Sequence, residues 1–537
     1  MSGWDTIVVG AGSAGAVIAT RLTEDSSRRV LLIEAGGSDR KYLYRKPGMM
    51  SIMHVVPQVK KQVDWGYKTA PRQETLGREI PYVRGKALGG SSAVNGMVFV
   101  RGNRANYDDW AADGCPGWGF DDVLPHFKKL ESFEDGESEF RGGSGPIKVT
   151  RPQPIDPVSE LFLTACSEVT GCGITDDYNA GKQEGVGLFQ ASCSDGLRQS
   201  TSECYLHPNI GRSNLDVVSG ALVDKLVIEN GRCVGVTYRK KGKEHTARAT
   251  SEVVVCGGAV GTPLILQRSG IGSAALLQEH GIDVVADLPV GQNLHDHLFV
   301  PMSFIAPRGT HRGTGGHFFG GMLKHHLGMG GGAWYGRSVF DVVAFVKMGA
   351  GQRIPNLQIH VLPWCYPSPN RDNDQVRPDV DTRPAITVQP TLIYPKSRGE
   401  IRITSTDPDA HPHIDPGYLT DPADAQLLLD GIDLCREIMA HGSIAPELEL
   451  ELHPGKEFFD KAAMRKELPN RVATVYHPVG TARMGSDERA VVTPDLRVRG
   501  IEGLLVADAS IMPTVTGGNT NAPCIMIGEK AAALLRA

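Results

Sequence analysis

Short apolar runs rich in β-branched residues punctuate this chain, and clusters of glycine stand where the runs end. Asp5–Gly10, DTIVVG, is apolar at consecutive positions, the pattern of a strand covered on both faces. It leads into Gly10-Ala11-Gly12-Ser13-Ala14-Gly15 and then AVIATRLTEDSS, where Ala16, Ala19 and Leu22 share one helical face with Ile18 close by. A second run, Val30-Leu31-Leu32-Ile33, ends at Glu34. EVVVCGG (Glu252–Gly258) passes into AVGTPLILQRSGIG, a further strand-to-helix passage with a stop at Ser269–Gly272. Near the end, Leu504–Ala507 reads as a buried strand closing at Asp508, and a glycine/asparagine loop precedes an apolar helix starting near Pro523. Between these, AITVQPTLIYP and GEIRITS alternate as antiparallel strands do.

The first 34 residues make a complete βαβ opening around G-x-G-x-x-G, with an acid 19 residues past Gly15. Gly10 permits the turn, Gly12 lets backbone N–H groups reach a pyrophosphate, and Gly15 lets the helix pack closely on the strand. Glu34 stands where a ribose hydroxyl is held and repels a 2′-phosphate, so NADP is disfavoured. NAD and FAD both remain open on this motif. A second cluster, RGKALGGSSAVNGM (Arg84–Met97), supplies backbone and side-chain donors without bulk, which suits a phosphate or a heteroaromatic ring.

Composition narrows the class. The 537 residues exceed what one core holds, so two or more domains are expected. A net charge of −5 leaves no basic surplus for nucleic acid. The ten cysteines show neither C-x-x-C nor a metal spacing, so free thiols, no metal and a cytoplasmic location are expected. No apolar run reaches transmembrane length. The nucleotide signals are spread over the whole chain, so the sheet is assembled from separated segments: 1–150, 211–300 and 461–537, with 151–210 and 301–460 left for a substrate domain. The glycine- and histidine-rich stretch Gly309–Gly336 reads equally as a loose loop or a lid.

One local feature stands apart. VYHPVGTARMG (Val475–Gly485) places His477 directly before Pro478, which excludes the helical region for the histidine and stiffens its backbone. Alone, this fits a structural residue as well as one aimed at a ligand.

Together GAGSAG with Glu34, RGKALGGSSAVNGM, GAVGTPLILQRSGIG with VGQNLHDH, HPVGTARMG and GLLVADASIMPTVTGGNTNAPCIMIGEKAA resemble, in order and over essentially the whole chain, the glucose-methanol-choline (GMC) oxidoreductases. The branch is similar to choline-dehydrogenase-like and alcohol-dehydrogenase-like members. The resemblance implies an α/β protein with a Rossmann-like FAD-binding domain and a substrate domain on an antiparallel sheet flanked by helices. It implies FAD in place of NAD, and Val94, where some members carry a tethering histidine, implies that FAD is held non-covalently. Gly10, Gly12, Ser13, Ala14, Gly15, Glu34 and Ala35 would hold the ADP half, with Val223 at the adenine. Gly89, Gly90, Ser91, Asn95, Gly96, Met97 and Val98 would lie along the pyrophosphate and flavin edge, and Asp508, Ala509, Asn519 and Thr520 would close the site.

The resemblance makes His477 the catalytic base in oxidation of an alcohol CH–OH to an aldehyde or ketone, with Asn521 as its partner. A neutral imidazole suits that work, since its free pKa of ~6.5 lies near operating pH. An asparagine orients the alcohol oxygen but takes no proton. The alternatives are a lyase-type flavin chemistry on the same scaffold, an electron carrier without turnover, and an NAD-dependent enzyme. The acceptor, oxygen or a quinone or carrier, is open, as is the alcohol. No acid-and-aromatic cluster beside His477 marks a choline pocket, and Trp334, Tyr335, Trp364 and Tyr366 are candidate pocket aromatics.

Overall fold

The computed structural model describes residues 3–367 and 381–536. Two large sheets organise them. In the first, strands Leu215–Ser219, Val30–Glu34, Trp4–Val9 and Lys243–Val255 lie side by side, and Leu504–Val506 adds beyond the last. These five pair in parallel, and all five residues of Val30–Glu34 are buried, as the unbroken apolar run requires. Lys243–Val255 is long enough to serve twice. Its second half completes the parallel sheet, while its first half pairs antiparallel with Arg232–Lys240, which in turn pairs with Ala221–Glu229.

Helix Gly15–Leu22 buries all its residues except Arg21, and helix Asn521–Leu534 packs across it. The two approach closely because Gly528 lacks a side chain; a Cβ there would come within 2.8 Å of the Ala14 carbonyl oxygen. Glu529, fully buried on that helix, accepts from Arg21 Nε at 2.9 Å and from the Tyr205 hydroxyl at 2.8 Å. The first and last segments are thus locked together.

The second sheet is antiparallel throughout, in the order Leu450–His453, Met302–Ile305, Ala385–Leu392, Leu357–Leu362, Val342–Val346, Gly185–Leu188. Helix Pro422–Met439 covers Ala385–Leu392, all of whose residues are buried. The α/β architecture and the two-sheet division match the expectation. Four details differ. Leu298–Phe299 and Ala473–Thr474, which fall in segments expected to belong to the nucleotide unit, pair with each other and join the second sheet through Ala385–Leu392. GEIRITS forms only Glu400–Arg402, paired with His413–Asp415 apart from the large sheet. The C-terminal helix begins at Asn521, two residues before Pro523. Finally, Gly309–Gly336 contains a twelve-residue helix, Gly315–His326, where sequence offered a loop or a lid: Thr314 caps it by accepting from His317 N at 3.1 Å.

Candidate active site

The carboxyl ends of the parallel strands converge on one cavity of about 1120 Å³. Gly10 follows Val9, Glu34 ends its strand, Cys256 follows Val255 and Asp508 follows the strand Leu504–Val506, and all four line the cavity. Open α/β sheets bind ligands at this edge. The volume lies slightly above the roughly 300–1,000 Å³ of an ordinary small-molecule pocket.

Backbone geometry fits the pyrophosphate of a dinucleotide. No side chain caps the helix at Ala14, whose end borders the cavity; Ala16 N donates to the Gly12 carbonyl, and the helix dipole favours an anion there. Gly12 has nothing within 4 Å of where a Cβ would stand, so the space before it is open to a ligand. Gly90, at φ +52°, sits so close that a Cβ would be 2.8 Å from the Cα of Gly12, which holds the second glycine loop against the first. Glu34 is buried and accepts from Ala11 N at 2.8 Å and Gly36 N at 2.6 Å. Each oxygen keeps a further lone pair for ribose hydroxyls, while burial pushes the carboxyl's pKa up against those donors. Asp508, likewise raised by burial, accepts from Gly258 N and Thr262 Oγ1 of one helix and from Ser510 N of its own loop, and so ties the two segments together.

Ser13, Ala14, Ala35, Ser91, Asn95, Gly96, Val98, Val223, Ala509 and Thr520 also lie on the wall, as sequence expected. Gly15, Gly89 and Met97 do not; they stand behind it and shape the loops. A Cβ on Gly15 would fall 1.9 Å from the Gly10 carbonyl oxygen. Gly89 (φ +86°) would strike Ser202 Oγ at 2.6 Å, and Met97 is fully buried at φ +63°.

At the other end of the cavity stands His477, buried, with both ring nitrogens engaged. Its Nε2 is 3.1 Å from Asn519 Nδ2, and its Nδ1 is 3.0 Å from His297 Nδ1. The amide oxygen of Asn519 accepts from Gln358 Nε2 at 3.3 Å and lies 3.4 Å from His360 Nε2, so its NH₂ group faces His477. Nε2 therefore accepts, the proton of neutral His477 is on Nδ1, and that proton is donated to His297. Burial, then the neighbouring His297, His360 and Arg84, hold the His477 pKa well below the usual 6.5. Burial also holds His297 at about 3 and His360 at about 4. The whole cluster is neutral at ordinary pH.

Asp296 fixes the main chain beneath it. One carboxylate oxygen accepts from His477 N at 2.7 Å, and the other from Thr474 Oγ1 at 2.6 Å and Tyr418 OH at 2.7 Å. Tyr476 adopts φ +65°, a conformation rare for a bulky residue, and its carbonyl accepts from Arg84 Nη2. Pro478 follows, so His477 is constrained from both sides.

The amino-acid sequence agrees with this geometry in detail. The GMC oxidoreductase family model matches residues 4–299 in its N-terminal part and 395–528 in its C-terminal part. The chain belongs to the GMC oxidoreductase family. It is 37% identical over 540 residues to an alcohol dehydrogenase (acceptor) of Pseudomonas putida, covering 99% of this chain and 95% of that one. To an oxygen-dependent choline dehydrogenase of Photobacterium profundum it is 38% identical over 535 residues, covering 98% and 92%. Among solved structures, pyridoxine 4-oxidase from Mesorbium loti superimposes with a TM-score of 0.86 at 28% identity, covering 99% of this chain and 98% of that one. Formate oxidase does so with a TM-score of 0.90 at 26% identity, covering 100% and 98%.

The structure corrects the partner assigned to the GMC histidine. Asn521, expected beside His477, is the first residue of the C-terminal helix, and its Oδ1 accepts from Ser13 Oγ at 2.8 Å, at the nucleotide end. Asn519, expected only to close the flavin site, takes the place beside His477. The two-residue offset decides it: the helix starts at Asn521 and turns that side chain toward Ser13 in the first glycine loop, whereas Asn519 still lies in the loop before the helix. The roles of Asp296 and His297 were also missed. Their signal was in VGQNLHDH, where two histidines flank an acid, but nothing in the sequence says that this loop crosses beneath residues 474–479.

Proposed function

We propose that His477 is the base and Asn519 the oxygen-binding partner in the oxidation of an alcohol by this enzyme. Its family makes the chain an FAD-dependent oxidoreductase acting on the CH–OH group of alcohols. The residues of the cavity suit FAD: an uncapped helix end, an open Gly12 and a ribose-binding acid for the ADP half, with room toward His477 for the ring. When bound, the flavin supplies the acceptor for the two electrons and hydrogen leaving the carbinol carbon. Val94, at the cavity wall, offers no nucleophile for a covalent tether.

The protein's own contribution is proton transfer and orientation. When alcohol binds, its oxygen takes over the Asn519 N–H that Nε2 accepts here, and the freed Nε2 lone pair of His477 accepts the hydroxyl proton as the C–H bond breaks. The Asn519 NH₂ donates to the same oxygen as charge builds on it. Proton, hydride and carbonyl product balance: one alcohol loses H⁺ to His477 and hydride to the acceptor. The single observation that carries this reading is the Asn519–His477 contact at the cavity wall, with the amide turned by Gln358 and His360.

The lining supports an uncharged, apolar alcohol. Phe299, Phe340, Leu362, Trp364 and Tyr366 flank the His477 end. Among the described residues the acids on the wall are Glu34 and Asp508, both at the nucleotide end and both hydrogen-bonded. The Asp296 carboxylate beneath His477 is off the wall and committed to three donors, so a quaternary ammonium would meet no carboxylate on the wall there. The family supports oxidation, and nothing in the cluster calls for lyase-type chemistry. Anaerobic mixing of the flavin-loaded enzyme with aliphatic, aromatic and quaternary-ammonium alcohols tests this. Bleaching by apolar alcohols and not by choline is expected; a flavin that stays oxidised throughout, or bleaches with choline alone, rejects it. Admitting air or a quinone afterwards identifies the acceptor, which we infer to be one of these.

A further inference from the structure

The helix Gly315–His326 buries only Gly321; Phe318 packs against Trp334 and Tyr335, but Phe319 and Leu323 stand outside. Phe319, Leu323 and Leu327 follow at intervals of four, along one face, with exposures of 60%, 60% and 63%; Met329 beyond them is 54% exposed. Elsewhere in the described chain exposed apolar residues are mostly scattered, which is ordinary. Here they form a row, and a contiguous row marks an interaction surface.

The charge around that row is one-sided. The sequence has no aspartate or glutamate between Asp296 and Asp341, yet it carries Arg312 and Lys324 there, besides Arg308 and Arg337, which pair with Glu447 and Asp341. The segment 40–46 lies alongside, since Tyr42 OH meets His326 Nε2 at 3.0 Å and the two rings stack at 5.8 Å. It adds exposed Arg40, Lys41 and Arg45, and a further lysine, Lys46. The nearby acids are engaged: Asp39 is buried against His207, Asp156 receives Thr310 and His311, and Glu203 pairs with Arg45. A chain of net charge −5 thus presents a cationic rim around an apolar row. Phe318, Phe319 and Thr314 of the same segment line the cavity, so its mouth opens within this face.

We propose that this face seats the enzyme on an anionic lipid surface. The apolar row enters the headgroup boundary and the lysines and arginines meet lipid phosphates, as interfacial amphipathic helices do. No helix of the described residues is long and apolar enough to cross a membrane, so the contact is interfacial. A cavity mouth at the lipid boundary gives apolar alcohols dissolved there a direct path to His477; this consequence rests on the substrate reading above, but lipid binding does not.

Flotation of the flavin-loaded enzyme with phosphatidylglycerol vesicles, with phosphatidylcholine vesicles as control, tests the surface. Binding to the anionic vesicles is expected, with at least a tenfold loss at high salt or on K41E/R45E/K324E, and loss on L323S/L327S/M329S. Those three apolar side chains are exposed and off the cavity wall, so thermal stability and turnover of a short water-soluble alcohol should stay unchanged. Failure of the wild type to float, or flotation of L323S/L327S/M329S as efficient as wild type, overturns the proposal. So does sedimentation showing that this triple variant disrupts a dimer while vesicles go unbound, which would assign the face to a second copy. Flotation reads lipid binding alone, so failure of the alcohol reading would show separately, in flavin bleaching.

Discussion

The side chains of Asn519 and His477 meet at 3.1 Å, while Asn521, two residues along, turns away to Ser13. The two asparagines therefore answer to different measurements. Asn519→Ala removes the donor aimed at the alcohol oxygen and should slow flavin reduction by about 10²–10³-fold, the usual cost of losing one such donor. Asn521→Ala should leave the reduction rate at saturating flavin within a few-fold and act on flavin retention. Stopped-flow reduction of both variants decides; the assignment fails if Asn521→Ala is the slower of the two.

His477→Ala should cost about 10²–10⁴-fold in the same rate, the range for a general base. Its pH profile carries more information. Because burial and its neighbours depress the His477 pKa, the base stays unprotonated down through pH 6.5. The acid limb of kcat/KM should accordingly lie below that of a free imidazole, and a limb centred above 6.5 would contradict the neutral cluster.

Asp296 acts through the backbone of His477 and touches no substrate position in this arrangement. Asp296→Ala leaves the His477 N–H, Thr474 hydroxyl and Tyr418 hydroxyl without their buried acceptor. Each orphaned group costs about 1–3 kcal/mol, so a large fall in Tm is expected along with lower kcat. Asp296→Asn keeps one acceptor oxygen and should recover part of both. Equal stability of wild type and Asp296→Ala would remove the residue from this role.

Stability should also fall in mild acid. In the folded chain burial holds His54 and His360 at about 4, and His295 and His297 at about 3. Unfolded, each titrates near 6.5. Between 6.5 and about 4 the unfolded chain therefore binds more protons, and stability drops as pH falls, by up to about 1.4 kcal/mol per unit for each histidine. Glu34, Asp296 and Asp508, raised by burial, act in the opposite sense, since the folded chain takes up their protons first as pH falls. The urea midpoint should decline from pH 7 to pH 5; a flat or rising midpoint would show that the buried histidines do not outweigh the buried acids.

Local signals carried most of this protein's architecture because its nucleotide site is built from contiguous stretches. Trp4 to Glu34 folds as one βαβ unit in which every expected site residue sits at a strand end or helix start, where period and glycine spacing betray it. His477 was conspicuous through Pro478. The Asp296–His297 support was not, because it depends on the antiparallel pairing of Leu298–Phe299 with Ala473–Thr474, a long-range register with two residues on each side. Nor was the choice between Asn519 and Asn521, which turns on where a helix begins, and helix ends are the least determined part of any pattern. The helix Gly315–His326 hid behind its own glycines, since they argue for a loop until Thr314 is seen to cap it.

The glycines of the first loop separate flavin binding from folding. A Cβ at Gly12 meets nothing within 4 Å, so Gly12→Ala should fold normally. The new methyl projects where the pyrophosphate must approach the backbone, and losing one charge-assisted hydrogen bond there, about 1.5–3 kcal/mol, corresponds to roughly ten- to hundredfold weaker flavin. At Gly15 the same methyl would lie 1.9 Å from the Gly10 carbonyl oxygen and 3.0 Å from Cys256 Cβ, inside the packed interface of helix and strand. Gly15→Ala should therefore lower Tm in the flavin-free protein or prevent folding. Comparing flavin content by the 450 nm absorbance with circular dichroism of the stripped proteins distinguishes them. If Gly12→Ala keeps full flavin affinity, the pyrophosphate does not pass over that residue, and the placement of the ADP half along Gly10–Gly15 is wrong.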